Sequence, residues 1–347
     1  MDQQSLTRRD LLASLAALGA GAVMTRGRLT AQTPGGATRR IDVHHHFANA
    51  ELIKLMADKG TAGWQTWTPY SPAKAIEDMD KGGVQASVLS ITTPGIWFGA
   101  ADETKRLARE LNEYGAKICS DYPGRFGLFA VLPLPNVTNA LKEIEYAFDT
   151  LKADGVGLLS SYAGKWHGDA AFAEVFRELN RRKAIVYTHA QVPDCCQSLV
   201  TGINDTTVEY NTDTARTIIS LIDSGRAVET PDNKYIWSHA GGTILALTGR
   251  FLGQQATRAN LTKQADPKSR LGQLRRFYYD TAGSTNPIQM TALRTLVGTS
   301  QIMFGTDFPF GGSANIAAGI EESGVFNADE LKAIDRGNAV RVLDKFK

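Results

Sequence analysis

The chain has 347 residues, 43% hydrophobic and 21% charged, with a formal net charge of +2. That length suits one α/β barrel with modest insertions, and the composition is that of a globular protein with a substantial core rather than a disordered chain. Near charge balance leaves no basic arm or stripe, so neither nucleic acid nor an anionic membrane surface is expected as a partner.

Thr7-Arg8-Arg9-Asp10-Leu11-Leu12 reads as a twin-arginine export signal, and an Ala- and Gly-rich apolar run over 11–24 follows at once. At about 14 residues that run is too short for the roughly 20 of a membrane-spanning helix. Residues 1–31 are therefore assigned to a signal cleaved near Ala31 and directing the protein to the periplasm, with no integral membrane segment in the mature chain. Losing them removes four arginines and two aspartates, which takes the net charge from +2 to 0.

Residues 38–347 are expected to form a single domain. Eight short runs rich in Val, Ile, Leu, Phe or Tyr predict strands over 40–44, 86–91, 126–131, 155–159, 184–188, 235–238, 277–280 and 302–306. Apolar character on both faces suits buried parallel strands. Helical spacing predicts helices over 102–121, 138–153, 170–183, 213–223 and 329–346. The economical topology is a closed (β/α)8 TIM barrel, with a doubly wound open sheet as the alternative. Two long connections, 47–71 and 191–210, leave strand ends that carry histidine. The cysteines, Cys119, Cys195 and Cys196, show no metal-finger spacing, and the neighbouring pair is expected to be two free thiols.

The chemistry concentrates at strand ends. In Ile41-Asp42-Val43-His44-His45-His46-Phe47, alternation along a strand sends His44 and His46 the same way and His45 the other, so His45 is read as non-ligating. Of the six histidines, His189 closes the fifth run and His239 the sixth, while Asp307 closes the eighth. In a parallel barrel these ends open on one face, so five polar groups converge. Three imidazoles and a carboxylate suit one divalent ion, zinc first and manganese or cobalt next.

Trp64, Trp67, Trp97, Phe98, Tyr162 and Trp166 lie on segments that should rim the mouth. Aromatic walls suit a flat, unsaturated small molecule, with Trp64 and Trp97 taken as substrate-binding. His167 is read as a surface residue.

The HxH pair, the histidines ending strands five and six, and Gly305-Thr306-Asp307-Phe308-Pro309 together resemble the amidohydrolase superfamily. The order is similar to its aminocarboxymuconate-semialdehyde decarboxylase-like branch over almost the whole chain after residue 38. The resemblance implies His44, His46, His189 and Asp307 as ligands of one metal ion, with His239 assisting catalysis. It also implies that Arg250 grips a substrate carboxylate, often across a homodimer interface. Binuclear members carry a lysine at the end of strand four; here that strand ends Gly157-Leu158-Leu159-Ser160-Ser161, which points to a mononuclear site.

Ile41 to Phe47 and Ser87-Val88-Leu89-Ser90-Ile91-Thr92-Thr93-Pro94-Gly95 are similar to the 6-methylsalicylate decarboxylases. That likeness implies non-oxidative decarboxylation of an ortho-hydroxybenzoate or muconate-like acid, its oxygens on the metal and a proton delivered by Asp307 or His239. The alternative is a hydrolase that attacks a lactone or ester with metal-bound hydroxide. A third reading, an exported binding protein without turnover, conflicts with a complete ligand set.

Overall fold

The computed structural model describes residues 39–347 apart from Ala62 and Thr68; the export signal assigned to 1–31 lies outside the described residues. The apolar runs pair in sequence order as eight parallel strands: β1 (Arg40–His46), β2 (Val84–Ser90), β3 (Phe126–Val131), β4 (Gly155–Leu159), β5 (Ile185–His189), β6 (Lys234–Trp237), β7 (Tyr278–Asp280) and β8 (Ile302–Met303). The last strand then returns to the first. Val43 N donates to Phe304 O at 3.0 Å, Asp307 N to His44 O at 2.8 Å and His46 N to Phe308 O at 2.8 Å. These bonds decide for the barrel over the open sheet, and every strand end faces one mouth.

β8 is shorter than its apolar run suggests because the chain leaves the ladder to build the seam. Thr306 N donates to the Asp42 carboxylate at 3.0 Å, and Asp307 adopts φ 63°. A Cβ at Gly305 would lie 2.9 Å from the Cβ atoms of His44 and Asp280, so only glycine lets the strands approach this closely.

A bulge in β1 sets the direction of the histidines. Its register with β2 runs Asp42↔Ser87 and then His45↔Leu89, one residue more on β1 than on β2. Ile41 and Val43 belong to the inner cluster with Val88, Phe129 and Tyr187. Unbroken alternation would therefore carry His45 inward as well. The extra residue reverses the parity, so His44 and His46 point inward and His45 outward. Asp42 fixes the bulge by accepting the His44 main-chain N–H at 2.9 Å and the His45 Nδ1–H at 3.0 Å.

Below the mouth the barrel is filled rather than hollow. Tyr187 stacks on Phe129 with centroids 5.5 Å apart and meets His44 edge-on at 5.4 Å, while Ala339, Val342, Leu343 and Phe346 close the far end. The predicted helices appear as Ala101–Asp121, Val137–Asp149, Ala173–Arg181 and Asn211–Asp223. The expected helix over 329–346 is broken into Ala328–Lys332, a wide turn over Ala333–Gly337, Asn338–Val340 and a tight turn over Asp344–Phe346. The connection 47–71 holds a helix, Ala50–Asp58, capped by the Asn49 side chain, which accepts from Leu52 N. Ile244–Leu252, Pro287–Val297 and Ser313–Glu322 are further helices of the outer layer. No helix of the described residues is long and apolar enough to cross a membrane.

Candidate metal centre

His44, His46, His189 and Asp307 each place one ligand atom at the mouth, all within 4.8 Å of one another. His44 Nε2 is 3.0 Å from His46 Nε2 and 3.1 Å from Asp307 Oδ1; His46 Nε2 is 3.0 Å and His189 Nε2 3.8 Å from the same oxygen. Donors about 2.1 Å from one ion and at tetrahedral to octahedral angles lie roughly 3.0–3.4 Å apart. The spacing fits a single ion.

Each ring is turned by what holds its other nitrogen. His44 Nδ1–H donates to Asp280 Oδ2 at 2.8 Å, His46 Nδ1–H to Ser90 Oγ at 3.2 Å and His189 Nδ1–H to Ala190 O at 2.6 Å. With Nδ1 holding the proton of the neutral ring, Nε2 is in every case the nitrogen left to offer a lone pair to an ion. Three lone pairs and a carboxylate thus face one point, an arrangement that repels itself unless a cation lies between.

As protein groups alone, burial pulls His46 down to about 4 and His189 to about 3, so both are neutral near pH 7. Burial also opposes charge on His44, yet Asp280 and Asp307 outweigh it and push that ring up to about 10. Asp307 is held well below the ordinary carboxylate range: burial opposes its charge, but His44, His189 and His46 together prevail. A proton on His44 therefore offsets the negative charge that a metal ion would offset. This donor set, with its mixed imidazole and carboxylate chemistry, suits one divalent ion of the zinc or manganese kind.

His239 stands at the edge of this group, its ring 4.9 Å from that of His44 and 5.3 Å from that of His189. Its Nδ1–H donates to Ala282 O at 3.0 Å, and its buried Nε2 has no partner. His45 points away, as expected, and stacks on Phe308 at 4.6 Å. The cavity over the centre measures about 420 Å³; His189, His239, Asp307, Trp67, Tyr210 and Phe310 are among its lining. Among the described residues no lysine or arginine lines it.

The mouth aromatics divide. Trp67 lines the metal cavity, while Trp97, Phe98 and Tyr162 line a neighbouring one. Trp64 packs against the core and Trp166 donates to Asp213 Oδ1 at 2.7 Å, so neither lines either cavity. Arg250 is exposed near the end of Ile244–Leu252, outside the metal cavity. His167, expected at the surface, is buried, its Nε2–H donating to Leu159 O at 2.8 Å between Phe176 and Trp237. Cys195 and Cys196 are both free, as expected. Sequence reasoning missed Asp280, although it ends β7 on the same face, and missed Tyr210, Phe310 and Gln289 of the cavity wall.

A model of the amidohydrolase family matches residues 41–345. The chain belongs to the amidohydrolase family. Within it, this amidohydrolase falls in the decarboxylase branch, close to the 6-methylsalicylate decarboxylases. It is 35% identical over 331 residues to decarboxylase yanB of Aspergillus niger, covering 89% of this chain and 88% of that one. It is 34% identical over 327 residues to the 6-methylsalicylic acid decarboxylase of Penicillium expansum, covering 89% and 97%. The structure of a dihydroxybenzoic acid decarboxylase from Polaromonas, with bound manganese and 2-nitroresorcinol, has the same fold. Its TM-score is 0.78 at 21% identity, over 89% of this chain and 98% of that one.

Proposed function

We propose that this amidohydrolase is a metal-dependent, non-oxidative decarboxylase of ortho-hydroxybenzoate-type acids. One observation carries the reading: His44, His46, His189 and Asp307 converge beneath an aromatic cavity that has no lysine or arginine among the described residues of the chain, so within one subunit a bound acid meets its counter-charge at an ion held by those four. Relatives that carry the name 6-methylsalicylic acid decarboxylase extend over most of the chain, which supports the same substrate class.

When bound, a divalent ion supplies the positive charge against which a carboxylate and a neighbouring phenol oxygen are held. Trp67, Tyr210 and Phe310 flank the space above and confine a planar ring. As the ring–carboxylate bond breaks, its electron pair stays on the ring carbon and takes up one proton, and CO2 leaves. Asp307 and His239 both border the cavity, and one or the other supplies that proton. With its Nδ1–H given to Ala282 O, His239 delivers a proton only after its unpartnered Nε2 has taken one up, and Asp307 carries one only while its ties to the histidines slacken.

Two further parts complete the proposal. In a homodimer, Arg250 of one subunit meets the substrate carboxylate in the other. Residues 1–31 export the folded protein to the periplasm, and a reporter fused after Ala31 that stays in the cytoplasm contradicts this.

Incubation of metal-loaded protein with salicylate-type acids and with aromatic lactones tests the reading. CO2 release from the acids supports it. Acid release from lactones without CO2 replaces it with the hydrolase.

A further inference from the structure

A second cavity, of about 560 Å³, opens at the same end of the barrel and shares Thr93, Asn204, Thr206 and Tyr210 with the cavity over the metal centre. The Tyr210 hydroxyl and Thr93 Oγ1 lie 2.5 Å apart, tying the segment after β2 to the start of Asn211–Asp223 along the boundary the two cavities have in common. Beyond that boundary Pro94, Ile96, Trp97, Phe98, Leu159 and Tyr162 form an apolar side of the lining, while Ser161, Gln191, Gln197 and Ser198 are among its polar residues.

These walls are set rather than loose. Ile96, Leu159 and Tyr162 are buried, and the Tyr162 hydroxyl accepts the Leu159 main-chain N–H at 2.8 Å, which fixes its ring. The lining includes the carboxylates of Asp194 and Asp205, and among the described residues no lysine or arginine lines the space. A second anionic group is unwelcome there, while hydrocarbon finds an apolar side to lie against and an open end toward solvent. The metal cavity at about 420 Å³ already lies within the roughly 300–1,000 Å³ typical of small-molecule sites. A one-ring acid held at the metal leaves the second space over.

We propose that this second cavity receives an extended apolar substituent borne by the substrate ring. The preferred substrate is then an ortho-hydroxybenzoate carrying a hydrocarbon chain, not the bare or methylated ring. The inference rests on the decarboxylase reading above and adds the chemistry of the far end of the substrate. Adjacency along four shared residues points the space to the same molecule that meets the metal centre, and the two carboxylates disfavour a second acid at the end of the chain.

The test is the kcat/KM of the metal-loaded full chain for salicylates with methyl, propyl, pentyl and heptyl groups at ring positions 4, 5 or 6. Each methylene that moves from water onto an apolar wall is worth roughly a fourfold gain at full burial. At least one positional series is expected to climb, with pentyl exceeding methyl by at least about tenfold. Val192→Trp and, independently, Gln197→Trp fill the second cavity from its loop side, and each is expected to collapse the pentyl-to-methyl ratio of that series. A flat or falling dependence on chain length in all three series, with CO2 still released from salicylate, overturns the inference and leaves the decarboxylase reading standing. A climbing series whose ratio survives both substitutions places the chain elsewhere and also overturns it. No CO2 from any acid, salicylate included, refutes the decarboxylase reading and this inference with it.

Discussion

Asp280 holds His44 and His239 at once: Oδ2 accepts the His44 Nδ1–H at 2.8 Å while Oδ1 accepts the His239 main-chain N–H at 2.9 Å. One buried carboxylate thereby sets the tautomer of a metal-facing ring and the position of the ring beside it. In Asp280→Asn the amide oxygen can serve only one of these donors, and the amide nitrogen would face the His44 Nδ1–H. Relieving that clash moves the His44 proton to Nε2 and removes its lone pair from the centre. Metal affinity is expected to fall by about 10–100-fold or more, read by titration of the metal-free protein with zinc or manganese. Wild-type affinity in the variant would show that Asp280 does not position His44.

Binding of a divalent ion near pH 7 is expected to release one proton. His44 sits at about 10 and is protonated in the metal-free protein, whereas His46 at about 4 and His189 at about 3 are already neutral. The sign follows: raising the pH removes the competing proton, so affinity climbs about tenfold per unit up to the His44 value and levels above it. Below about 4 the slope steepens, because His46 must lose a proton as well. Calorimetry in two buffers of different ionisation heat measures the proton count directly.

The barrel and the four convergent ligands were legible because strand ends in a parallel barrel share one mouth, whatever the details of packing. Bringing His44, His46, His189, His239 and Asp307 to one mouth needed only that rule, and the family resemblance singled out four of them as ligands. What the sequence hid depended on non-local geometry. The bulge at 43–44 is visible only in the register with β2, and the inner position of Ile41 and Val43 shows that simple alternation would have failed over the whole strand. Asp280 carried the same strand-end signal as Asp307, yet its role emerges only once His44 and His239 are seen to meet it. His167 looked like a surface residue because it sits among polar neighbours, and folding of the Ser161–Tyr162 and Lys165–Trp166 hairpin turns it inward instead.

Asp42 is expected to be a structural keystone. Its carboxylate accepts from His44 N, Thr306 N, Thr306 Oγ1 and His45 Nδ1, all buried, at the seam that closes the barrel. Asp42→Ala strands these donors and should cost about 3 kcal/mol or more of stability. Denaturant unfolding of the metal-free protein checks this, and a loss under about 1 kcal/mol would contradict the seam as described.

His239→Asn keeps all four ligands and is expected to lower kcat by about 10²–10⁴-fold with metal content intact. Asp307→Asn removes a ligand charge and is expected to lower metal content itself. If a metal-loaded Asp307→Asn protein binds the acid but releases no CO2 while His239→Asn stays active, proton delivery belongs to Asp307.

The most direct test of the central claim is turnover of an ortho-hydroxybenzoate in deuterium oxide by the metal-reconstituted protein, followed by NMR of the phenol. One deuterium at the carbon that bore the carboxylate, one CO2 per phenol, and loss of both on chelation and in His189→Ala are the predicted results. Unchanged acid with a full complement of metal, or equal turnover after the metal is removed, would contradict it.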